Sequence, residues 1–140
     1  MNATTLQAGL RHSETITVDA GLTVPEVSAS FGSFRDMPPV FATAYMVAFV
    51  EFTCIEALKS HLATGQHTVG THVDMSHTAA TPIGMQVTAS VELVAIEGRK
   101  LRFKVECRDQ TDVIGSGFHE RAIIDTVKFM ARLEAKAKKS

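Results

Sequence analysis

The segment VFATAYMVAFVEFTCIEAL, residues 40–58, is the most apolar in the chain and limits the fold more than any other stretch. Glu51 and Glu56 interrupt it, so it lacks the ~20 predominantly apolar residues in a row that a membrane span needs. It reads instead as a helix, from about 42 to 62, buried in a soluble core. A helix that is apolar on nearly all sides must be covered on nearly all sides, and one curved sheet wrapped around it would do that. The preceding Pro38-Pro39 pair suits the approach to a helix and cannot sit inside one.

The rest of the chain supplies the strands for such a sheet. SETITVDA (13–20) alternates and reads as a first strand, and TVPEVSASFGSF (23–34) as a short helix or irregular lid. In VGTHVDMSH (69–77) the odd positions Val69, Val73 and Met75 are apolar; MQVTASVELVA (85–95) and KLRFKVECR (100–108) alternate in the same way. EGRK (97–100) marks a tight hairpin and RDQTD (108–112) a longer one. VIGSGFHERAII (113–124) is the last strand, with Gly115 and Gly117 pointing to a bulge or a close backbone approach. KFMARLEAKAKKS (128–140) closes the chain as a helix whose basic end complements the helix dipole. One strand, a long helix and then four strands on short connections predict an α+β fold with a largely antiparallel sheet.

Composition narrows the function. The 140 residues are 45% hydrophobic and 21% charged, as in a soluble globular protein, and a single domain over 1–140 is expected. A net charge of −1 offers no electrostatic footprint for nucleic acid. Cys54 and Cys107 form no CxxC pair and sit among apolar residues, which fits buried thiols in a reducing cytoplasm. MNATTLQAGLRHSE lacks the basic and apolar regions of a secretory leader. The expectation is a cytoplasmic protein with no membrane and no nucleic-acid partner.

Glu51 is the strongest chemical anomaly. Its helical neighbours three and four residues away are Val47, Ala48, Cys54 and Ile55, whereas Glu56 has mostly polar neighbours and is expected to face water. An unpaired buried carboxylate costs several kcal/mol, so Glu51 lies at a subunit edge, is held by a basic residue for structure, or works as an acid, base or nucleophile in a pocket. His77 extends the apolar parity of Val69, Val73 and Met75 just before the turn at Thr81-Pro82-Ile83-Gly84. It is either a satisfied core histidine or a partner of Glu51. His67, His72 and His77 are five apart and alternate faces; His67 and His77 would lie about 33 Å apart on a regular strand, so no metal site is expected.

Thr43 fits a helix N-cap or first turn, and eight helical residues would separate it from Glu51 by about 12 Å. The two can share a site only through a bent helix start or a second subunit. Gly70 either allows a backbone N–H to approach a ligand or serves local strand geometry. Arg121 shares a parity with His119, opposite Phe118, Ala122 and Ile124, and suits either a phosphate contact or a solvated sheet face. There is no GxSxG elbow, phosphate-cradling glycine loop or dinucleotide fingerprint.

Three separated blocks, VFATAYMVAFVEFTCIEAL, VGTHVDMSHTAATPIGMQVTASVEL and GSGFHERAII, together resemble the hotdog-fold thioesterases of the fluoroacetyl-CoA thioesterase type. The likeness spans residues 39–125. It implies a hotdog fold, a long central helix wrapped by a curved antiparallel sheet of about five strands, paired into a homodimer with active sites at the interface. It implies hydrolysis of a short-chain acyl-CoA with no cofactor beyond the coenzyme A of the substrate. By the same resemblance Thr43 of the FAT segment, Glu51 and His77 are catalytic, Gly70 holds the thioester carbonyl, and Arg121 lies near the ligand. Phe34 and Met37 fall at lid positions, Met37 standing where the fluoroacetate-specific enzyme has phenylalanine. The alternatives are a hotdog enoyl-CoA hydratase or dehydratase, a non-catalytic acyl-CoA binding module, and a purely structural dimer.

Overall fold

The computed structural model describes residues 5–139. Along the chain run β1 (Arg11–Thr17), α1 (Thr43–Leu58), β2 (Gln66–Met75), β3 (Gln86–Glu97), β4 (Lys100–Arg108), β5 (Val113–Asp125) and α2 (Thr126–Lys138). Three 3-10 turns, Ala20–Leu22, Val24–Glu26 and Gly32–Asp36, punctuate the segment between β1 and α1. The final residue of the expected closing helix and the first four residues of the N-terminal stretch lie outside the described residues.

The strands form one five-stranded sheet in the order β1-β3-β4-β5-β2, every neighbour antiparallel. The α+β expectation holds, with β1 and β2 as the two edges. On β3, Val87, Ala89, Val91 and Leu93 are buried; on β4, Leu101, Phe103, Val105 and Cys107 are. They meet Met46, Phe49, Val50, Cys54, Ala57 and Leu58 of α1. Each large apolar side chain so buried contributes ~1.5–3 kcal/mol, which is how an uncapped helix start at Ala42 is tolerated.

Four departures from the sequence reading have local causes. β1 starts earlier because Arg11 pairs with Glu92, and it ends at Thr17, before the chain turns at Asp19. α1 ends at Leu58 and passes into a 3-10 turn, Lys59–His61. β2 begins at Gln66 because Gln66, His67 and Thr68 pair with Asp125, Ile124 and Ile123. A register shift between Gly70 and His72 leaves Thr71 unpaired, so the parity of β2 reverses there. Gly70 stands opposite Arg121 and Val73 opposite His119, placing these two on one face and Val69 on the other.

The sheet covers α1 on one side only. Ala44, Ala48, Phe52 and Ile55 form an exposed stripe along the helix, with Phe52 45% and Ile55 41% accessible. The expectation that a single wrapped sheet would cover the helix nearly all round is therefore corrected. Gly115 and Gly117 meet the expected close approach: a Cβ on Gly115 would collide with the Ser76 carbonyl oxygen, and one on Gly117, at φ +152, with that of Asp74. α2 opens on Asp125, whose side chain accepts from the Lys128 N–H at 3.2 Å, and it buries no residue. Among the described residues no helix is long and apolar enough to cross a membrane.

Candidate active site

Glu51 projects from the edge of the uncovered stripe of α1. Its side chain remains 38% exposed, against 25% for Glu56, which is held by Lys59 at 2.9 Å. The expected contrast is thus inverted, because the face carrying Glu51 is the one its own sheet leaves open. Glu51 is nonetheless paired: Arg121 Nη1 donates to its Oε2 at 2.8 Å. The partner is Arg121 rather than His77, contrary to the pairing considered from the sequence.

Arg121 is only 3% exposed and belongs to the inner face of the sheet. Its Nε donates to Thr68 Oγ1 at 2.8 Å and its Nη2 to the Thr68 carbonyl at 2.9 Å. Neither a solvated sheet face nor a phosphate contact describes it; the guanidinium is enclosed and committed to Glu51 and Thr68. A charge-assisted bond of this kind is worth about 1.5–3 kcal/mol, and an enclosed arginine without a carboxylate would cost more.

Gly70 makes this arrangement possible. A Cβ there would collide with Glu51 Oε2 and lie 3.3 Å from His119 Cε1 and 3.4 Å from Arg121 Nη1. The glycine is needed for space, since its φ is not positive. His119 completes the cluster at 1% exposure. Its Nδ1 lies 2.8 Å from the His72 carbonyl, so Nδ1–H is the donor. Nε2 then carries the lone pair and accepts from Arg121 Nη1 at 3.1 Å. Burial pushes the imidazole below its ordinary 6.5; the His72 carbonyl opposes this and the Arg121 charge adds to it. A neutral His119 at 3.9 Å from Glu51 is therefore no ion pair.

Cys54, one helical turn from Glu51, has its thiol pushed up to about 12 by burial and is unreactive.

Thr43 and His77 form a second cluster. Thr43 is the first residue of α1 and its Oγ1 lies 2.7 Å from His77 Nδ1. His77 Nε2 is buried without a hydrogen-bond partner, and desolvation pushes the ring below its ordinary 6.5 against a raising backbone contact with Ala79. Two residues past the end of β2, His77 packs edge-on against Phe41 at 6.5 Å between ring centroids. The loop is pinned from both sides: the Thr81 carbonyl accepts from Phe41 N at 2.9 Å, and Thr81 Oγ1 donates to Asp109 Oδ2 at 2.8 Å. A shallow cavity of about 240 Å³ opens beside the pair, lined by Val24, Val40, Phe41, Thr43, His77 and Ala79 among others.

The structure thus joins Thr43 to His77 and joins Glu51 to Arg121 and Gly70, but it does not join the two groups within one chain. Thr43 sits in regular helix, not in a bent start, so eight residues of rise, about 12 Å, separate it from Glu51. Phe34 packs edge-on against Phe31 at 5.6 Å, and Met37 is 47% exposed; neither lines the cavity beside Thr43 and His77. His119 and Thr68 were not singled out from sequence. The signal available for His119 was its shared parity with Arg121; none marked Thr68, whose inward direction depends on the bulge. Among the described residues no group of three or more His, Cys, Asp or Glu side chains could hold a metal.

The family model for FlK, fluoroacetyl-CoA-specific thioesterase, matches residues 24–127. The fluoroacetyl-CoA thioesterase of Streptantibioticus cattleyicolor is 39% identical over 131 residues, 94% of each chain. A solved structure of the fluoroacetyl-CoA thioesterase FlK aligns at a TM-score of 0.91 and 39% identity, covering 94% of this chain and 97% of that one. A hot-dog-like protein from Thermanaerovibrio acidaminovorans shares the fold at a TM-score of 0.79 and 20% identity, over 92% and 91% of the two chains. With fold and sequence agreeing along nearly the whole length, the chain belongs to the fluoroacetyl-CoA-specific thioesterase family and has the hotdog fold.

Proposed function

We propose that this protein is an acyl-CoA thioesterase that hydrolyses a short-chain acyl-CoA, fluoroacetyl-CoA or a similarly small thioester, to the free acid and coenzyme A. The observation that carries the reading is the state of Glu51. Oε2 is anchored on Arg121, while among the described residues no hydrogen bond engages Oε1, on a face of α1 that its own sheet leaves open. That is the disposition of a carboxylate that reacts rather than one that only balances charge. Oε1 attacks the thioester carbonyl or takes a proton from the attacking water. The carbon–sulfur bond then breaks and coenzyme A leaves as the thiol, its proton supplied through His77; where Oε1 is the nucleophile, water next cleaves the acyl–Glu51 anhydride, releasing the free acid and restoring the carboxylate. Thr43 orients the His77 ring through Nδ1, and the Nε2 atom, without a hydrogen-bond partner among the described residues, supports giving His77 this role. Gly70, whose backbone approaches Glu51 so closely that a Cβ would collide with Oε2, is the proposed contact for the developing oxyanion. Arg121 acts behind Glu51, and coenzyme A enters only as part of the substrate.

The active form in this proposal is a homodimer. About 12 Å of helix separates Thr43 from Glu51, so Thr43 and His77 of one subunit meet Glu51 of the other. The exposed stripe of Ala44, Ala48, Phe52 and Ile55, together with the edge strand β2, supplies the covering surface such a pairing needs. Buried free thiols at Cys54 and Cys107 and a coenzyme A substrate favour the cytoplasm.

The test is thiol release over a panel of acetyl-, fluoroacetyl-, propionyl- and longer acyl-CoA thioesters, with Glu51→Gln alongside. Wild type should release thiol fastest from the small acyl groups, and Glu51→Gln should lose at least about a hundredfold in kcat. Undiminished hydrolysis by Glu51→Gln rejects the assignment. Enoyl-CoA hydration without thiol release would favour a hydratase, and saturable binding with neither would favour a carrier. Label from H₂¹⁸O appearing in Glu51 after single turnover identifies it as nucleophile.

A further inference from the structure

We infer that His119 is a positioning residue for this site: its Nε2 lone pair holds Arg121 so that the guanidinium anchors Glu51 through Oε2 alone, leaving Oε1 for the reaction. This rests on the reading of Glu51 as the reacting carboxylate. A guanidinium has five N–H donors in a fixed plane. In Arg121, Nε and Nη2 are tied to Thr68, and Nη1 is shared between Glu51 Oε2 and His119 Nε2. Thr68 thereby occupies Nε and Nη2, the pair that a side-on two-pronged grip on the carboxylate would use, and leaves Nη1 to reach Glu51. The remaining Nη1 proton has His119 as its acceptor. Without it, an unsatisfied donor would sit in a site where Arg121 is 3% exposed, and the guanidinium would turn to relieve it.

The tautomer is set from the opposite side. Nδ1–H points at the His72 carbonyl in β2, beside the bulge, so the same backbone irregularity that opens the Gly70 face also fixes which nitrogen faces Arg121. The charged groups that act on the ring are Glu51 from α1 and Arg121 and Glu120 from β5; β2 contributes a carbonyl. Protonation of Nε2 would set two donors against each other across 3.1 Å, with Glu51 Oε2 at 3.9 Å as the nearest carboxylate oxygen. Acid therefore removes Arg121's acceptor and draws Glu51 toward the ring.

His119→Gln, His119→Asn and His119→Leu separate the roles of the two nitrogens. The glutamine Oε1 reaches the position of Nε2 and keeps an acceptor for Arg121; the asparagine Nδ2 replaces Nδ1 and keeps only the donor to His72. The expectation is that His119→Gln retains kcat within about threefold, while His119→Asn and His119→Leu lose about 30-fold or more with KM little changed. Natural-abundance ¹⁵N spectra of the folded wild type should show the Nδ1–H neutral form of His119 at pH 7. His119→Asn placed on Glu51→Gln should add almost nothing to the loss, because the two act as a unit. Asn and Gln variants of equal activity, or an Nε2–H or charged imidazole at pH 7, overturn the inference while Glu51→Gln remains inactive. Full activity in Glu51→Gln overturns the functional reading and this inference with it.

Discussion

Gly70→Ala tests the centre of the site with one methyl group. In an open strand this change would stabilise the fold by about 0.4–1 kcal/mol, since Gly70 has no positive φ and alanine restricts the unfolded chain. Here the new Cβ lands on Glu51 Oε2, with His119 Cε1 at 3.3 Å and Arg121 Nη1 at 3.4 Å. The carboxylate is the movable partner, so it swings out and its 2.8 Å bond to Arg121 is lost. A bond to a charged group contributes ~1.5–3 kcal/mol. Water repays part of this on the Glu51 side, which is 38% exposed, but little at Arg121, which is 3% exposed. Setting the alanine gain against that loss leaves a destabilisation of about 1–2 kcal/mol, or a fall in Tm of roughly 3–8 °C for a chain of this size. Turnover should drop by about tenfold or more, because the displaced carboxylate is the proposed reacting group. Urea unfolding and thiol release measure the two effects. The decisive comparison is Gly70→Ala on a Glu51→Ala background, where the obstruction is gone and the change should be neutral or stabilising by up to about 1 kcal/mol. Equal costs on both backgrounds would show that the carboxylate is not what the methyl group meets, and the account of Gly70 would fail.

Other expectations follow from the same geometry. Mixing Thr43→Ala subunits with Glu51→Gln subunits, after dissociation and reassociation, should restore about a quarter of wild-type activity, since half the dimers carry one intact composite site; no recovery would place the whole site in one chain. His77 and His119 are both held below 6.5, so their unfolded forms take up protons first as pH falls. Stability is fully present above about 6.5 and declines below it by up to ~1.4 kcal/mol per pH unit for each histidine, and urea midpoints from pH 8 to 5 should show His119→Gln with the shallower decline. Burial alone would raise the Asp109 carboxyl, but the Asp112 and Thr111 N–H groups and the Thr81 hydroxyl outweigh it and hold it below 3.8. Asp109→Ala frees the loop that pins Phe41 and His77 and should cost about 1–2 kcal/mol by thermal melting, with kcat reduced more than KM.

The alternating segments were legible in advance. β3 and β4 bury the positions their period of two predicts, because a half-buried strand writes its environment into every second residue. The helix was legible from its apolar run, and Glu51 stood out against that background. Its partner did not. Arg121 and His119 look like a solvated pair in a one-dimensional pattern, and only the pairing of β5 with β2 shows that they face inward toward Gly70 and α1.

By itself the sequence determined the elements, the antiparallel class and the few side chains able to do chemistry, since these depend on local period and residue type. Tertiary structure alone decided that Thr71 is skipped in the pairing, that Val69 and Val73 consequently face opposite ways, and that Thr43 and Glu51 belong to separate clusters. The physical reason is register: a shift of one residue exchanges the two faces of a strand, and it is fixed by contacts between segments far apart in the chain.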